Sequence, residues 1–485
     1  MQPRPPIVAI LGHVDHGKTT LLDYICRSRI AKGEEGGITQ KIGAYEIETG
    51  IAGYPVSKIT FIDTPGHEAF SLLRARGANV ADIAILLIDG RDSVMPQSIE
   101  SISHIKAAKL PFIVVINKID LEEVDVDKVK NDLLKHDVLI EGKGGDVPVI
   151  PLSAKTGKGV HDLLETILYL AAEKKLVGDP LAAPQAFIIE TKKDRRGIVM
   201  SAIIKNGTLR IGDTVFADQK KARIRALIND KGENILSVLP STPFELLGFE
   251  DTPKVGSEIS HVLSPLSKHI SETVMLAEKK AFDLEAMLTI PKEEKKLALV
   301  IKSDSQGSLE AIHAALVKNE HVDIVLCAVG DIHKSDIFLA KTAKAIVIGF
   351  HVKPDPETKD LARQEKVIIK TYGIIYELLD ELNEVADLLQ EKEEQEKHLR
   401  GEAKIIATFT IEGEKIFGVK ITKGKITAGD EVQLHRGDNL IGKMRLVSLQ
   451  VRAKKVQEVK KDQESGMVFS PPLDIRVGDV VKCIL

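Results

Sequence analysis

The stretch GHVDHGKT, Gly12–Thr19, comes directly after the apolar run IVAIL, Ile7–Leu11, near the start of the chain. A GxxxxGK[ST] turn between a strand and a helix folds successive backbone N–H groups inward around phosphate oxygens, and the helix that follows adds the positive end of its dipole. Gly12 and Gly17 permit the bend, Lys18 reaches the terminal phosphates as a point charge, and the Thr19 hydroxyl is placed to ligate Mg²⁺. The phosphate cradle is therefore expected to comprise Gly12, His13, Val14, Asp15, His16, Gly17, Lys18, Thr19 and Thr20.

Position strengthens this reading, because three further polar clusters each follow a β-branched apolar run. DTPGH (Asp63–His67) follows ITFI, NKID (Asn117–Asp120) follows FIVVI, and SAK (Ser153–Lys155) follows VIPL. Such runs alternating with helical stretches predict a doubly wound, mostly parallel sheet, whose ligands bind outside the carboxyl ends of its strands. Asp63 can hold Mg²⁺ through water, and the Gly66 N–H can meet the terminal phosphate. The Asp120 carboxylate can accept from both N1–H and the exocyclic amine of guanine, a pair that adenine lacks. Asn117 braces the loops, Lys118 covers the base face, and the turn through Ser153, Ala154 and Lys155 offers backbone N–H to the guanine O6. Together the four clusters specify a guanine-nucleotide site; NKID or SAK alone is an ordinary polar turn.

Composition narrows the rest. A chain of 485 residues exceeds one core, so three or four domains are expected. No apolar stretch is long enough to span a bilayer, and no signal-type segment opens the sequence, so a cytoplasmic protein without membrane contact is expected. The 3 cysteines, Cys26, Cys327 and Cys483, have neither disulfide-framework nor zinc spacing. A net charge of -4 means that any nucleic-acid contact is made by a local basic patch.

The motifs resemble those of the translational GTPases. Within that group, EEGGITQKIGAYEI (Glu34–Ile47), ITFIDTPGHEAF followed by RARGA, and VMPQSIE resemble the bacterial translation initiation factor 2 family. The resemblance implies that Thr39 joins Thr19 and Asp63 around Mg²⁺ and that His67, the catalytic residue, positions the attacking water. It also implies that Val14 and Ile38 flank that water as an apolar gate and that Asp15 helps to bind a monovalent cation. Lys32–Gln40 is charged and glycine-rich, as suits a segment ordered by its ligand. Arg74 and Arg76 are the candidates for an arginine finger, with a surface or helix-face role expected for both. Without a finger, hydrolysis should be slow until a partner accelerates it, and the family partner is the ribosome.

Beyond the GTP-binding domain, expected at 1–177, VGDPLAAPQA reads as a linker. GIVMSAIIKNGTLRIGDTVF then carries an NG turn signal and opens a small antiparallel β-barrel over 178–265. At an offset of 217 residues, Ile204, Gly207, Leu209, Gly212, Asp213 and Val215 fall on Ile421, Gly424, Ile426, Gly429, Asp430 and Val432, so a second barrel of the same type is expected over 401–485. Between them the pattern predicts a linker with a small parallel α/β domain (266–371) and a long connecting helix (372–400). The apolar face of that helix is Ile375, Leu378, Leu382, Val385 and Leu389, and it fades in the charged run after Leu389. SDSQGSLEAI, Ser303–Ile312, lacks the lysine of a phosphate loop and reads as a serine-capped helix start.

The last barrel is locally basic, with Arg436, Lys443, Arg445, Arg452, Lys454, Lys455, Lys460 and Lys461 set against Asp438 and Glu458. By resemblance this barrel binds the formylmethionyl end of initiator tRNA. Family members place cysteines in that pocket, whereas Val419 and a cysteine-free GMVFSPPLD, Gly466–Asp474, stand here, so the resemblance does not by itself imply formylmethionine selectivity. Many relatives also carry a long amino-terminal extension ahead of the first motif. The expected activity is GTP hydrolysis coupled to initiator-tRNA binding and ribosomal subunit joining, by a monomer. A tRNA-delivery elongation factor, a metabolic GTPase subunit and a nucleotide-holding scaffold are the alternatives.

Overall fold

The computed structural model describes residues 1–28, 38–262, 296–397, 399–411, 414–437, 439–451, 454–471 and 473–484. Glu34–Gly37 of the switch segment, Arg452 and Asp438 lie outside them. The chain forms two compact units, which divide between Asn383 and Glu384.

The amino-terminal sheet has six strands. In spatial order they are Gly43–Glu48, Lys58–Asp63, Ile7–Gly12, Ile83–Asp89, Phe112–Asn117 and Val149–Pro151, all parallel except the first, which runs antiparallel to its neighbour. Ile83–Asp89 is buried along its whole length because both faces of the sheet are covered. Ile85 and Leu87 pack with Leu21, Leu22, Leu163 and Ile167 on one side, whereas Leu86 and Ile88 pack with Ile102, Ile105, Val129 and Leu133 on the other. This is the doubly wound arrangement expected from the alternation of runs. It leaves the strands' carboxyl ends, and all four motif clusters, along one rim.

Residues expected to be pure linker do more than connect. Val177 and Gly178 pair with Pro3 and Gln2 as a short antiparallel ladder. The sheet that follows is antiparallel and six-stranded. Asn206–Gly207 is not a tight hairpin there: the Gly207 N–H donates to Asp179 O and the Asn206 side chain accepts from the Asp179 N–H, so the chain turns a corner out of the sheet.

The duplication read from sequence reappears bond by bond. Gly212 N–H donates to Ile224 O at 2.9 Å and Ile224 N–H donates to Asp213 O at 2.9 Å; in the carboxyl-terminal sheet Gly429 N–H donates to Leu446 O at 2.8 Å and Leu446 N–H to Asp430 O at 2.9 Å. Asp213 accepts from the Arg210 N–H as Asp430 accepts from the Thr427 N–H. Each aspartate occupies the same turn for the same reason: its carboxylate accepts from a backbone donor that the bend leaves unpaired.

The region before the long helix is a four-stranded parallel sheet, in the order Val322–Val329, Leu297–Ser303, Ile346–Phe350, Ile369–Tyr372. Ser305 caps the helix Gln306–Leu316 by accepting from the Ser308 N–H, as the capping-serine reading expects. The long helix runs Ile375–Lys397, and a strand begins at Leu399, so the helix is shorter at both ends than expected. Its buried positions are Ile375, Leu378, Leu382 and Ala386, whereas Val385 and Leu389 are half-buried. At 3.6 residues per turn the stripe moves to Ala386, one place on from the expected Val385. No helix among the described residues is long and apolar enough to cross a membrane.

Candidate functional site: a phosphate cradle at the sheet rim

The cavity at the rim measures about 250 Å³ and is lined by Val14, Asp15, Gly17, Lys18, Thr19, Thr20, Ile38, Thr39, Gly66, His67, Phe70, Lys118 and Tyr376. Most of the expected phosphate-side residues therefore meet around one space. Gly12, His13 and His16 do not line it; they build the loop from behind. His16 is fully buried, its Nδ1–H donates to Leu87 O at 3.2 Å, and burial pushes its pKa down to about 4, which keeps the ring neutral under the loop. His13 is also lowered, by burial first and then by Lys18.

Lys18 is itself buried and donates to the carbonyls of Gly12 at 3.0 Å and His13 at 2.6 Å. Burial pulls its pKa below the ordinary lysine value, with Asp63 acting in the opposite sense. The ammonium thus lies folded onto the loop it serves. A phosphate entering the cradle can offer it stronger, charged acceptors.

Gly17 shows why the loop tolerates little change. Its φ is +92°, and a Cβ there would stand 2.5 Å from the Asn117 Nδ2. A backbone strain of about 1–3 kcal/mol corresponds to about 5- to 150-fold in binding, so Gly17→Ala is expected to weaken GDP affinity by that factor in isothermal titration. Wild-type affinity in this variant would show that the loop yields freely.

At the base end, Asn117 ties two loops together: its Nδ2 donates to His16 O at 2.8 Å and its Oδ1 accepts from the Ala154 N–H at 2.9 Å. This is the bracing expected of it. Ser153 Oγ donates to Asp120 Oδ1 at 2.6 Å, and this hydrogen bond holds the Asp120 carboxyl below the usual range. Lys118 Nζ pairs with Asp89 at 2.7 Å and donates to Asp15 O at 2.7 Å, which lays the lysine stem across the gap between loops. Lys155 is exposed beside them. Of the residues expected at the base, Lys118 lines the cavity, and Asn117, Asp120, Ser153, Ala154 and Lys155 do not.

Thr19 and Thr39 hydroxyls are hydrogen-bonded to one another at 2.5 Å, and Asp63 is buried at the end of its strand. Hard hydroxyl and carboxylate oxygens are the donor set that Mg²⁺ takes, and adjacent ligands of an octahedral ion stand about 3 Å apart. The two hydroxyls fit that spacing with a small outward shift. Among the described residues no cluster of three or more His, Cys, Asp or Glu forms a metal site, so here the ion would depend on the nucleotide's own oxygens and on water.

His67 caps a short 3-10 turn, accepting from the Ala69 N–H through Nδ1 at 3.1 Å. Burial, and then the Arg74 guanidinium, pull its pKa below the ordinary value, so the ring is neutral near pH 7. Its ring meets Tyr376 edge-on at 4.0 Å between centroids and Phe70 at 6.0 Å. Tyr376 escaped the sequence reading, because it enters from the start of the long helix, far along the chain. Gln40 was missed as well: its side chain donates to Gly373 O at 2.8 Å and accepts from the Ile375 N–H at 3.0 Å, so the described end of the switch segment is fastened to the helix start. Gln97, in VMPQSIE, accepts from the Val14 N–H at 3.0 Å. The motif contains that glutamine, but its spacing alone does not show that the side chain faces the cradle.

Residues 4–173 match the model of the elongation factor Tu GTP binding domain, residues 183–262 that of elongation factor G domain 2, and residues 273–383 that of translation-initiation factor 2. Translation initiation factor IF-2 of Bartonella tribocorum is 42% identical over 99% of this chain, which spans 59% of that relative's length. Its counterpart in Halothermothrix orenii is 40% identical over 99% of this chain and 71% of the relative. The crystal structure of GDP-bound aIF5B from Aeropyrum pernix is similar at 26% identity with a TM-score of 0.48, covering 99% of this chain and 92% of that one.

Proposed function

The chain belongs to the translation initiation factor IF-2 family, and from that premise we propose that it is a GTP-driven switch that promotes initiator-tRNA binding and joining of the ribosomal subunits. GTP hydrolysis, triggered on the assembled ribosome, ends its task. The observation that carries the reading is the convergence of Lys18, Thr19, Thr39, Gly66 and His67 on one cavity at the sheet rim. The Asn117–Ala154 and Asp120–Ser153 bonds brace the base end beside it.

In this reading the backbone from Gly12 to Thr20 and Lys18 hold the phosphates, while Asp120 and the turn through Lys155 select guanine. Thr19, Thr39 and Asp63 hold Mg²⁺, which when bound neutralises phosphate charge. A monovalent cation beside Asp15 belongs to the same proposal. With Nδ1 accepting from the Ala69 N–H, a neutral His67 carries its proton on Nε2. Nε2–H is a donor, so the ring orients a water through the water's oxygen rather than removing its proton. Val14 and Ile38 stand on the same cavity and limit access to that water.

For the carboxyl-terminal barrel, exposed Lys443, Lys454, Lys455, Lys460 and Lys461 support contact with an RNA backbone. Arg436 does not join them, because it is paired with Asp479 at 2.9 Å. We place the chain in the cytoplasm, as a monomer, with both ribosomal subunits and initiator tRNA as partners.

GTP turnover measured with and without ribosomal subunits tests the proposal. Acceleration of about 10³-fold or more is expected, the size of the contribution that an external transition-state partner makes in other GTPases. Turnover indifferent to ribosomes but stimulated by a small metabolite would favour a metabolic GTPase instead.

A further inference from the structure

Arg74, a candidate arginine finger expected in a surface or helix-face role, is entirely buried within the helix Ser71–Val80. It does not line the nucleotide cavity, which removes it as an arginine finger in this arrangement. Its Nη1 donates to the carbonyls of Pro65 at 3.0 Å and His67 at 2.5 Å. Its Nη2 donates to Glu100 Oε2 at 2.7 Å and reaches the Glu68 carbonyl at 3.5 Å. Glu100 comes from the helix Pro96–Ala107, so one guanidinium ties three carbonyls of the His67 turn to a second helix.

We infer that Arg74 is a positioning residue for GTP hydrolysis: its guanidinium fixes the backbone of the turn that carries His67 and so sets the direction from which that imidazole enters the cavity. The inference rests on the reading of His67 given above. Burying a guanidinium is costly, and an apolar side chain of similar volume often stabilises a core as well or better. What an apolar residue, or lysine, cannot supply is a rigid planar fork of donors that spans several acceptors at once. His67 shows the need for such a fork. Its side chain accepts from the Ala69 N–H within its own turn, so the turn's backbone sets the direction in which the ring meets Tyr376 and Phe70.

The test uses the full chain on ribosomes, with steady-state GTP turnover, GDP affinity, and hydrogen exchange of residues 65–70 in the nucleotide-free protein. Because a displacement of about 1 Å costs about 100-fold, Arg74→Gln and Arg74→Lys are both expected to lower kcat by about 100-fold while KM for GTP and Kd for GDP stay within about threefold. Both should also speed amide exchange over residues 65–70. Glu100→Gln keeps the arginine and its carbonyl bonds, so its kcat should stay within about threefold of wild type.

Wild-type kcat in Arg74→Lys would overturn the inference, because charge alone would then suffice. So would a kcat loss in Glu100→Gln equal to that of Arg74→Gln, or losses in which KM and Kd rise in step with the fall in kcat. If Arg74→Gln does not fold, Arg74→Lys and Glu100→Gln still decide the matter. A wild-type chain that ribosomes fail to accelerate counts against the proposed function instead, and the exchange measurement then judges Arg74 separately.

Discussion

Asp120→Asn is expected to lose GTP affinity by about 10⁴-fold and to accept xanthosine triphosphate in its place. The local fold survives the change, because Ser153 Oγ can donate to the asparagine Oδ1 as it now donates to Asp120 at 2.6 Å. With that oxygen occupied, the new amide turns its N–H groups toward the base. Guanine presents only donors at N1 and its exocyclic amine, so donor meets donor where an acceptor is needed. Xanthine carries a carbonyl at that position and can accept. Competition titration of GDP and xanthosine diphosphate against a fluorescent nucleotide measures both halves. Unchanged GTP affinity with no gain for xanthine would remove Asp120 from the base site, and with it the guanine specificity of the proposal.

His67→Ala is expected to bind GTP nearly as wild type does but to lose about 10²- to 10⁴-fold in ribosome-stimulated turnover, the range associated with a positioned acid–base or water-orienting group. In the proposed site the phosphate contacts come from Lys18 and the loop backbone, which the substitution leaves alone. Single-turnover hydrolysis on ribosomes with pre-bound GTP separates the chemical step from loading. If turnover persists at the wild-type rate, the water is held by some other group. Arg74 would then hold a turn without catalytic consequence.

Much of this site could be read from residue order. The spacing of GHVDHGKT, DTPGH, NKID and SAK behind four apolar runs required a parallel sheet with all four clusters on one rim. Backbone connectivity and the polarity of strands settle that much locally. The duplicated turn at Asp213 and Asp430 was legible for the same reason, since an aspartate answering a backbone donor three residues away is a short-range event. The burial of Arg74 was not legible because an arginine usually lies at the surface, and only the carbonyls and the Glu100 carboxylate gathered around it make burial tolerable. Tyr376 at the His67 ring and Gln40 at the start of the long helix could not be anticipated either. Each brings together segments more than 300 residues apart in the chain.

The nucleotide proposed for the rim was read from the residues, because hydrogen-bond donors and acceptors at fixed spacing carry their chemistry wherever the turn sits. Which side chains brace the catalytic turn, and what closes over it, was left to tertiary packing. Those contacts join segments distant along the chain and exist only once the cores have formed, so no local pattern encodes them.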